Sequence, residues 1–261
     1  MARQSKSLTS FSNVSAGSTA TLQLPLGATY DAIHIKYAGV TLAQLKNIEV
    51  RINGKVIQSF IDATRLQDIN KYYKRNVKAG VITLWFVRPE MDNVGLRRMT
   101  AIGTADVSTF DLRVDIDGAA AAPVLTAYAN KSNQSPLGMI TKFKRFPASS
   151  ATAGQKEIDN IPREGRIAAI HLFKADISKV EVEVNERPVY DFDKVLGAGV
   201  QVDYGRNPNA AKHTSVDFTL DGDPSQALVV QGANDFRLRT ELDTSGAFDI
   251  VVEYLTSFNG I

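Results

Sequence analysis

Apolar and polar residues alternate in two stretches of the chain. IEVRIN (48–53) puts Ile48, Val50 and Ile52 on one side of an extended backbone, and VEVEVN (180–185) does the same with Val180, Val182 and Val184. A period of two predicts strands with one buried face. TATLQL (19–24), VITLWFV (81–87), RMTAIG (98–103), TSVDFTL (214–220) and DFRLRTEL (235–242) continue the strand pattern. Asn53-Gly54 is a two-residue hairpin signal; the second stretch carries Asn185-Glu186 there, without the glycine, and predicts a different turn. One segment has helical period instead. In DATRLQDINKYYKR (62–75), Leu66, Ile69 and Tyr73 form a single stripe, with Asp62 suited to the start and Lys74 and Arg75 to the end. Gly197 and Gly199 in DKVLGAGV (193–200) weaken any helix there.

These patterns come in pairs. LPLGATYDAIHI (24–35) lies against IPREGRIAAIHL (161–172), matching Pro25 to Pro162 and Ile33 to Ile170, 137 residues apart. IEVRINGKVIQSF (48–60) lies against VEVEVNERPVYDF (180–192) at an offset of 132, and FDLRVDI (110–116) against FDIVVEY (248–254) at 138. Blocks repeating in the same order indicate two copies of one domain. About eight short strands per copy point to a sandwich or jelly roll. The segment ANKSNQSPLGMITKFKRFPASSATAGQ (129–155) shows no clean period. The expected organisation is therefore an N-terminal arm over 1–18, a first barrel over 19–130, a linker over 131–154 and a second barrel over 155–261.

Composition narrows the function. The 261 residues include no cysteine, so neither disulfides nor thiolate chemistry is available. The start has no apolar run after its basic residues and predicts no secretory signal, and no stretch is apolar enough to span a membrane as a helix. A net charge of +2 argues against a nucleic-acid coat, and no sequence-specific nucleic-acid binding is expected. The two halves differ, however. Residues 1–133 carry 16 basic and 10 acidic side chains, net +6, and residues 134–261 carry 14 and 18, net −4. The arm is polar and weakly basic, with Arg3 and Lys6, and is expected to order on assembly.

Candidate chemistry is sparse. His34 and His171 occupy equivalent strand positions with no second histidine nearby, so alternation explains them without a metal. Asp115 and Asp117 in DIDG, and Asp221 and Asp223 in DGD, are weak calcium candidates that lack the remaining oxygen ligands of a calcium loop. No nucleophile, zinc or phosphate-loop motif is present. YYKRNVK (72–78) and KFKRF (142–146) are short basic-aromatic runs of the kind that bind phosphates or a lipid surface, but neither extends far, and they read rather as a helix end and a solvated linker. Trp85 sits in an apolar strand and is expected in the core.

LPLGATYDAIHIKYAGVT (24–41), KAGVITLWFVRPEM (78–91), DIDGAAAAP (115–123), RIAAIHL (166–172) and IVVEYL (250–255) together resemble the major capsid proteins of corticoviruses, tailless bacteriophages with an internal membrane. The resemblance covers most of both halves. It implies an all-β double jelly roll of two tandem eight-stranded barrels, with one or two short helices in connecting loops. It further implies a non-enzymatic shell protein, made in the host bacterial cytoplasm and located in the virion. Homotrimeric, nearly hexagonal capsomers would tile an icosahedral capsid over a lipid bilayer. Neighbouring capsomers, a vertex protein and inner membrane proteins would be the partners, with lipid contact through the arm. No cofactor is required, though structural calcium is possible. In such a ring the +6 and −4 halves alternate, which favours unlike contacts. Two other classes fit a duplicated β-domain: a two-barrel cupin-type metalloenzyme, which would need a histidine cluster, and a glycan-binding virion spike, which would need exposed aromatics beside polar loops.

Overall fold

Alternation becomes burial in the structure, a computed structural model in which residues 3–257 are described. The chain divides into two units. Among the described residues, the first comprises 3–71, Arg75–Phe143 and Ser257, and the second comprises Tyr72–Lys74 and Lys144–Thr256.

The first unit contains strands β1 (Gln4–Ser7), β2 (Thr19–Gln23), β3 (Thr29–Ala38), β4 (Leu45–Ile52), β5 (Lys55–Asp62), β6 (Val81–Trp85), β7 (Phe110–Ile116) and β8 (Val124–Ser132). They form two sheets in the orders β1-β8-β3-β6 and β2-β7-β4-β5. The second unit contains β9 (Met139–Ser150), β10 (Gly154–Ile158), β11 (Arg166–Phe173), β12 (Ile177–Val184), β13 (Arg187–Asp193), β14 (Thr214–Asp217), β15 (Phe236–Leu242) and β16 (Gly246–Ser257). Their orders are β9-β16-β11-β14 and β10-β15-β12-β13. Strand n+8 thus takes the place of strand n, and each unit is an eight-stranded jelly roll. The helices are α1 (Ala63–Tyr72), α2 (Val94–Arg98) and α3 (Lys194–Asp203). Inner faces supply the cores: Leu22, Ile33, Ile48, Val50 and Leu112 are buried in the first unit. Ile170, Val180, Val182, Leu238 and Val252 are buried in the second.

Several expectations need correction. The arm is an edge strand from Gln4: Gln4–Ser7 pairs antiparallel with Tyr128–Lys131, Phe11 is buried, and Ser12 bridges Thr21. The linker is largely β9, the same strand of the second copy. The unit boundary falls within it, at Phe143–Lys144. In KFKRF, Lys142 and Phe143 are buried, Lys144 pairs with Glu164, and Arg145 Nε donates to Asp249 Oδ1 at 2.7 Å. β1 escaped notice because an edge strand is held by backbone bonds and needs little apolar alternation. RMTAIG supplies the end of α2 and only a two-residue strand, Ile102–Gly103.

The third matched block is also misaligned. Ile52 pairs with Phe110 and Val184 with Phe236, so FDLRVDI corresponds to FRLRTEL (236–242), not to FDIVVEY. FDIVVEY lies in β16, the counterpart of β8. The chain copies a polar device here too. Asn53 Oδ1 accepts from the N–H groups of Ser108 and Thr109, and Asn185 Oδ1 from those of Asn234 and Asp235.

The two hairpin turns are alike despite the missing glycine. Asn53 and Gly54 have φ of 50° and 77°, and Asn185 and Glu186 have 50° and 63°. A left-handed glutamate costs about 1 kcal/mol relative to glycine. Glu186→Gly is therefore expected to stabilise the second unit by about 1 kcal/mol, read as a raised midpoint in denaturant unfolding; an unchanged or lower midpoint would contradict it. The glycines of α3 do not prevent a ten-residue helix. Asp193 caps it by accepting from the N–H of Val195 and Leu196. Gly197 lets it approach β13: a Cβ there would meet Tyr190 Oη at 2.5 Å.

Candidate functional site

A dense polar cluster lies in the second unit, on the outer face of β11, β14 and β16. His171 projects from β11 with 0% of its side chain exposed. Its Nδ1 lies 2.8 Å from Ser215 Oγ on β14, and its Nε2 lies 2.8 Å from Glu253 Oε1 on β16. A carboxylate accepts from Nε2–H, which leaves Nδ1 facing the Ser215 hydroxyl. Tyr72 and Tyr73 meet the imidazole edge-on, with ring centroids 5.4 and 6.1 Å away. The Tyr72 hydroxyl donates to Asp217 Oδ2 at 3.4 Å, and Arg206 Nε donates to the same oxygen at 2.8 Å. Arg206 Nη2 reaches Thr219 O at 2.7 Å, and its guanidinium lies over the Tyr73 ring at 5.5 Å. The backbone N–H of Asn207 donates to Tyr72 O at 2.8 Å.

Burial sets the electrostatics of this cluster. It pushes the Tyr72 hydroxyl well above its usual pKa, and Asp217 and Tyr73 add to the effect. Burial alone would lower the Arg206 pKa, but the charge and hydrogen bond of Asp217 reverse that and raise it. Tyr72 therefore stays a neutral donor and Arg206 a cation at physiological pH. No convergent metal-ligand set results: among the described residues no group of three or more His, Asp or Glu side chains is placed to hold a metal. The cluster ties three strands to the chain segment that covers them.

The first unit repeats part of this arrangement with its face open. His34 Nδ1 lies 2.9 Å from Thr83 Oγ1 on β6, and Asn130 Nδ2 on β8 lies 3.0 Å from His34 Nε2. The Ser5 hydroxyl donates to Asn130 Oδ1 at 2.8 Å, which orients the amide to donate to Nε2 and leaves Nδ1–H to donate to Thr83. Burial lowers the His34 pKa, with Arg3 and Lys78 acting in the same direction. The two histidines are thus equivalent cross-strand ties, each in its own unit. Trp85 is only half-buried and packs edge-on to His34 at 6.1 Å.

The four aspartates do not converge as calcium ligands. Asp115 accepts from Thr19 Oγ1 and Asn47 Nδ2, and Asp117 pairs with Lys46 and accepts from the Ala119 N–H. The Lys46 and Ala119 hydrogen bonds hold the Asp117 pKa below its usual value. Asp223 caps a short 3-10 turn through Ser225, and Asp221 is exposed. Carboxylates already committed to an ammonium or to backbone N–H groups do not fit a calcium ion within the chain.

Sequence reasoning missed Arg206 and Asp217 and read Tyr72 and Tyr73 only as part of a helix end. A signal was available: Tyr-Lys-Arg-Asn (73–76) and Tyr-Gly-Arg-Asn (204–207) are a further pair, 131 residues apart, each closing a helix. The Arg75 N–H bonds to Asn70 O and the Arg206 N–H to Gln201 O, the same C-terminal closure in both copies.

Comparison with known proteins agrees with this duplication. The model of the viral coat protein P2 N-terminal domain matches residues 5–133, and that of the P2 C-terminal domain matches residues 140–258. The major capsid protein P2 of Pseudoalteromonas phage PM2 is 35% identical over 257 residues, covering 95% of this chain and 95% of its own. The crystal structure of the major capsid protein P2 from bacteriophage PM2 matches with a TM-score of 0.94 at 34% identity, over 98% of both chains. The STIV MCP matches in fold at a TM-score of 0.69 and 14% identity, over 100% of this chain and 99% of its own. The PBCV-1 virus capsid matches in fold at 0.69 and 11%, over 97% and 93%.

Proposed function

Because the chain belongs to the viral coat protein P2 family, and is thereby a major capsid protein of a phage virion, we propose that its working form is a homotrimeric capsomer. Its role is structural rather than enzymatic, consistent with a homologue that is itself a capsid protein. The observation that carries the trimer is the duplication: one chain holds two eight-stranded units of identical strand order. Three such chains supply six similar barrels, enough for a nearly hexagonal outline that tiles an icosahedral shell. The net charges of +6 and −4 on the two halves support a ring in which unlike units are neighbours. Under the same proposal the shell encloses a lipid membrane and meets vertex and inner membrane proteins, and the chain is made in the host bacterial cytoplasm.

The test is the mass and outline of the purified chain. Light scattering should give three times the 28.4 kDa chain mass, and negative-stain images should show six lobes. A monomer at tens of micromolar would sink the trimer.

A further inference from the structure

The two copies of the helix end have opposite fates. In the second unit, Tyr73 is 4% exposed and Tyr72 is fully buried, packed over His171. The counterparts at an offset of 131 are Tyr204 and Asp203. Tyr204 is 50% exposed, Asp203 is exposed, and Val195, Leu196 and Val202 on α3 are 83%, 50% and 55% exposed. A helix with that much apolar surface in solvent is a site awaiting a partner.

The faces mirror this difference. On the second unit, His171, Val251 and Glu253 are each at most 1% exposed. Their counterparts by strand register are His34, Tyr128 and Asn130. Tyr128 is 42% exposed, and His34 and Asn130 are half-buried. The sequences of the two strands carry the contrast: β8 alternates, whereas β16 is buried on both faces along Ile250–Leu255. The chain thus contains one occupied pairing of helix end and face, one vacant helix end and one vacant face.

We propose that α3 and the turn Asp203–Gly205 dock on the first unit of a second copy of the chain, over His34, Tyr128 and Asn76, as Tyr72–Lys74 docks within the second unit. Tyr204 then lies over His34 as Tyr73 lies over His171. The Asn76 N–H takes the place of the Asn207 N–H, which donates to Tyr72 O. Charge agrees: Asp203 replaces Tyr72 and meets a basic face. Arg3 and Arg98 flank the single carboxylate of Asp31 at 3.2 and 3.1 Å, and Lys78 is exposed. An open cleft of about 340 Å³ beside Trp85, rimmed by Arg3, Arg97 and Arg98, gives room for the incoming chain. The contact is head-to-tail, so each copy offers one helix end and one face, and a closed ring satisfies both. This inference rests on the capsomer reading and assigns its surface.

Tyr204→Glu and Tyr128→Glu test it in the full-length chain. Both positions are exposed, so both variants should keep the wild-type circular dichroism and unfolding midpoint. Each alone should run as a monomer where wild type is a trimer, with dissociation shifted at least ~100-fold toward higher protein concentration. Mixed one to one, they retain one intact helix end and one intact face, and should give a heterodimer and nothing larger. Variants that remain trimeric beside a trimeric wild type would overturn the surface alone. A wild type that is not trimeric would overturn the capsomer and this surface together.

Discussion

Glu90→Ala is expected to cost the first unit about 3–5 kcal/mol. Arg75 grips this carboxylate with both arms of its guanidinium, Nη2 at 2.7 Å and Nε at 3.1 Å, and Arg88 Nε lies 3.3 Å away. All three side chains are at most 5% exposed. An arginine cannot shed its charge, so removing the carboxylate takes a counter-charge from two buried cations. A loss of this size is a large share of a domain's total stability. It should appear as a lowered denaturant midpoint with faster hydrogen exchange confined to the first unit. Glu90→Gln keeps the shape and one acceptor and should lose less. A change below about 1 kcal/mol for the alanine variant would mean that the arginines find water or other acceptors.

Such pairs mark the limit of what the sequence reveals. The inner faces were legible because period-two alternation is a direct imprint of one buried side, as in IEVRI and VEVEV. The duplication was legible in the same way, through the AIHI and AIHL strands. The edge strand β1 was not: Gln4–Ser7 is wholly polar, and its pairing depends on backbone groups common to every residue. Alignment by residue similarity also misled where burial differs between copies. FDIVVEY resembles FDLRVDI in letters, but β16 is buried on both faces whereas β7 is buried on one. The His171 cluster was hidden because its members come from five segments, and only Tyr-x-Arg-Asn repeats visibly. The aspartates of DIDG and DGD looked like ligands because short acidic turns serve calcium and N–H capping equally well.

Asp217→Ala is expected to cost the second unit a similar 3–5 kcal/mol. The arginines at stake are counterparts. Arg75 and Arg206 both follow a left-handed residue at a helix end, Lys74 at φ 52° and Gly205 at φ 77°. Their carboxylates come from different places, however: Glu90 lies beyond β6 and Asp217 within β14. The need for a counter-charge has been kept while its source has changed, as expected if the buried guanidinium imposes the requirement. Asp217 has further duties. It accepts from the Thr219 N–H and hydroxyl, both at 2.8 Å, and from Tyr72. Its loss should therefore loosen Tyr72–Lys74 as well as expose Arg206, and hydrogen exchange should rise at Tyr72–Lys74 and along β14. Replacing both partners, as Arg206→Met with Asp217→Leu, removes the stranded charge and should cost less than the single variant. Because the two arginines are held by different carboxylates, Glu90→Ala and Asp217→Ala should add to within about 0.5 kcal/mol when combined. A markedly non-additive double variant would show that the two units do not hold their arginines independently.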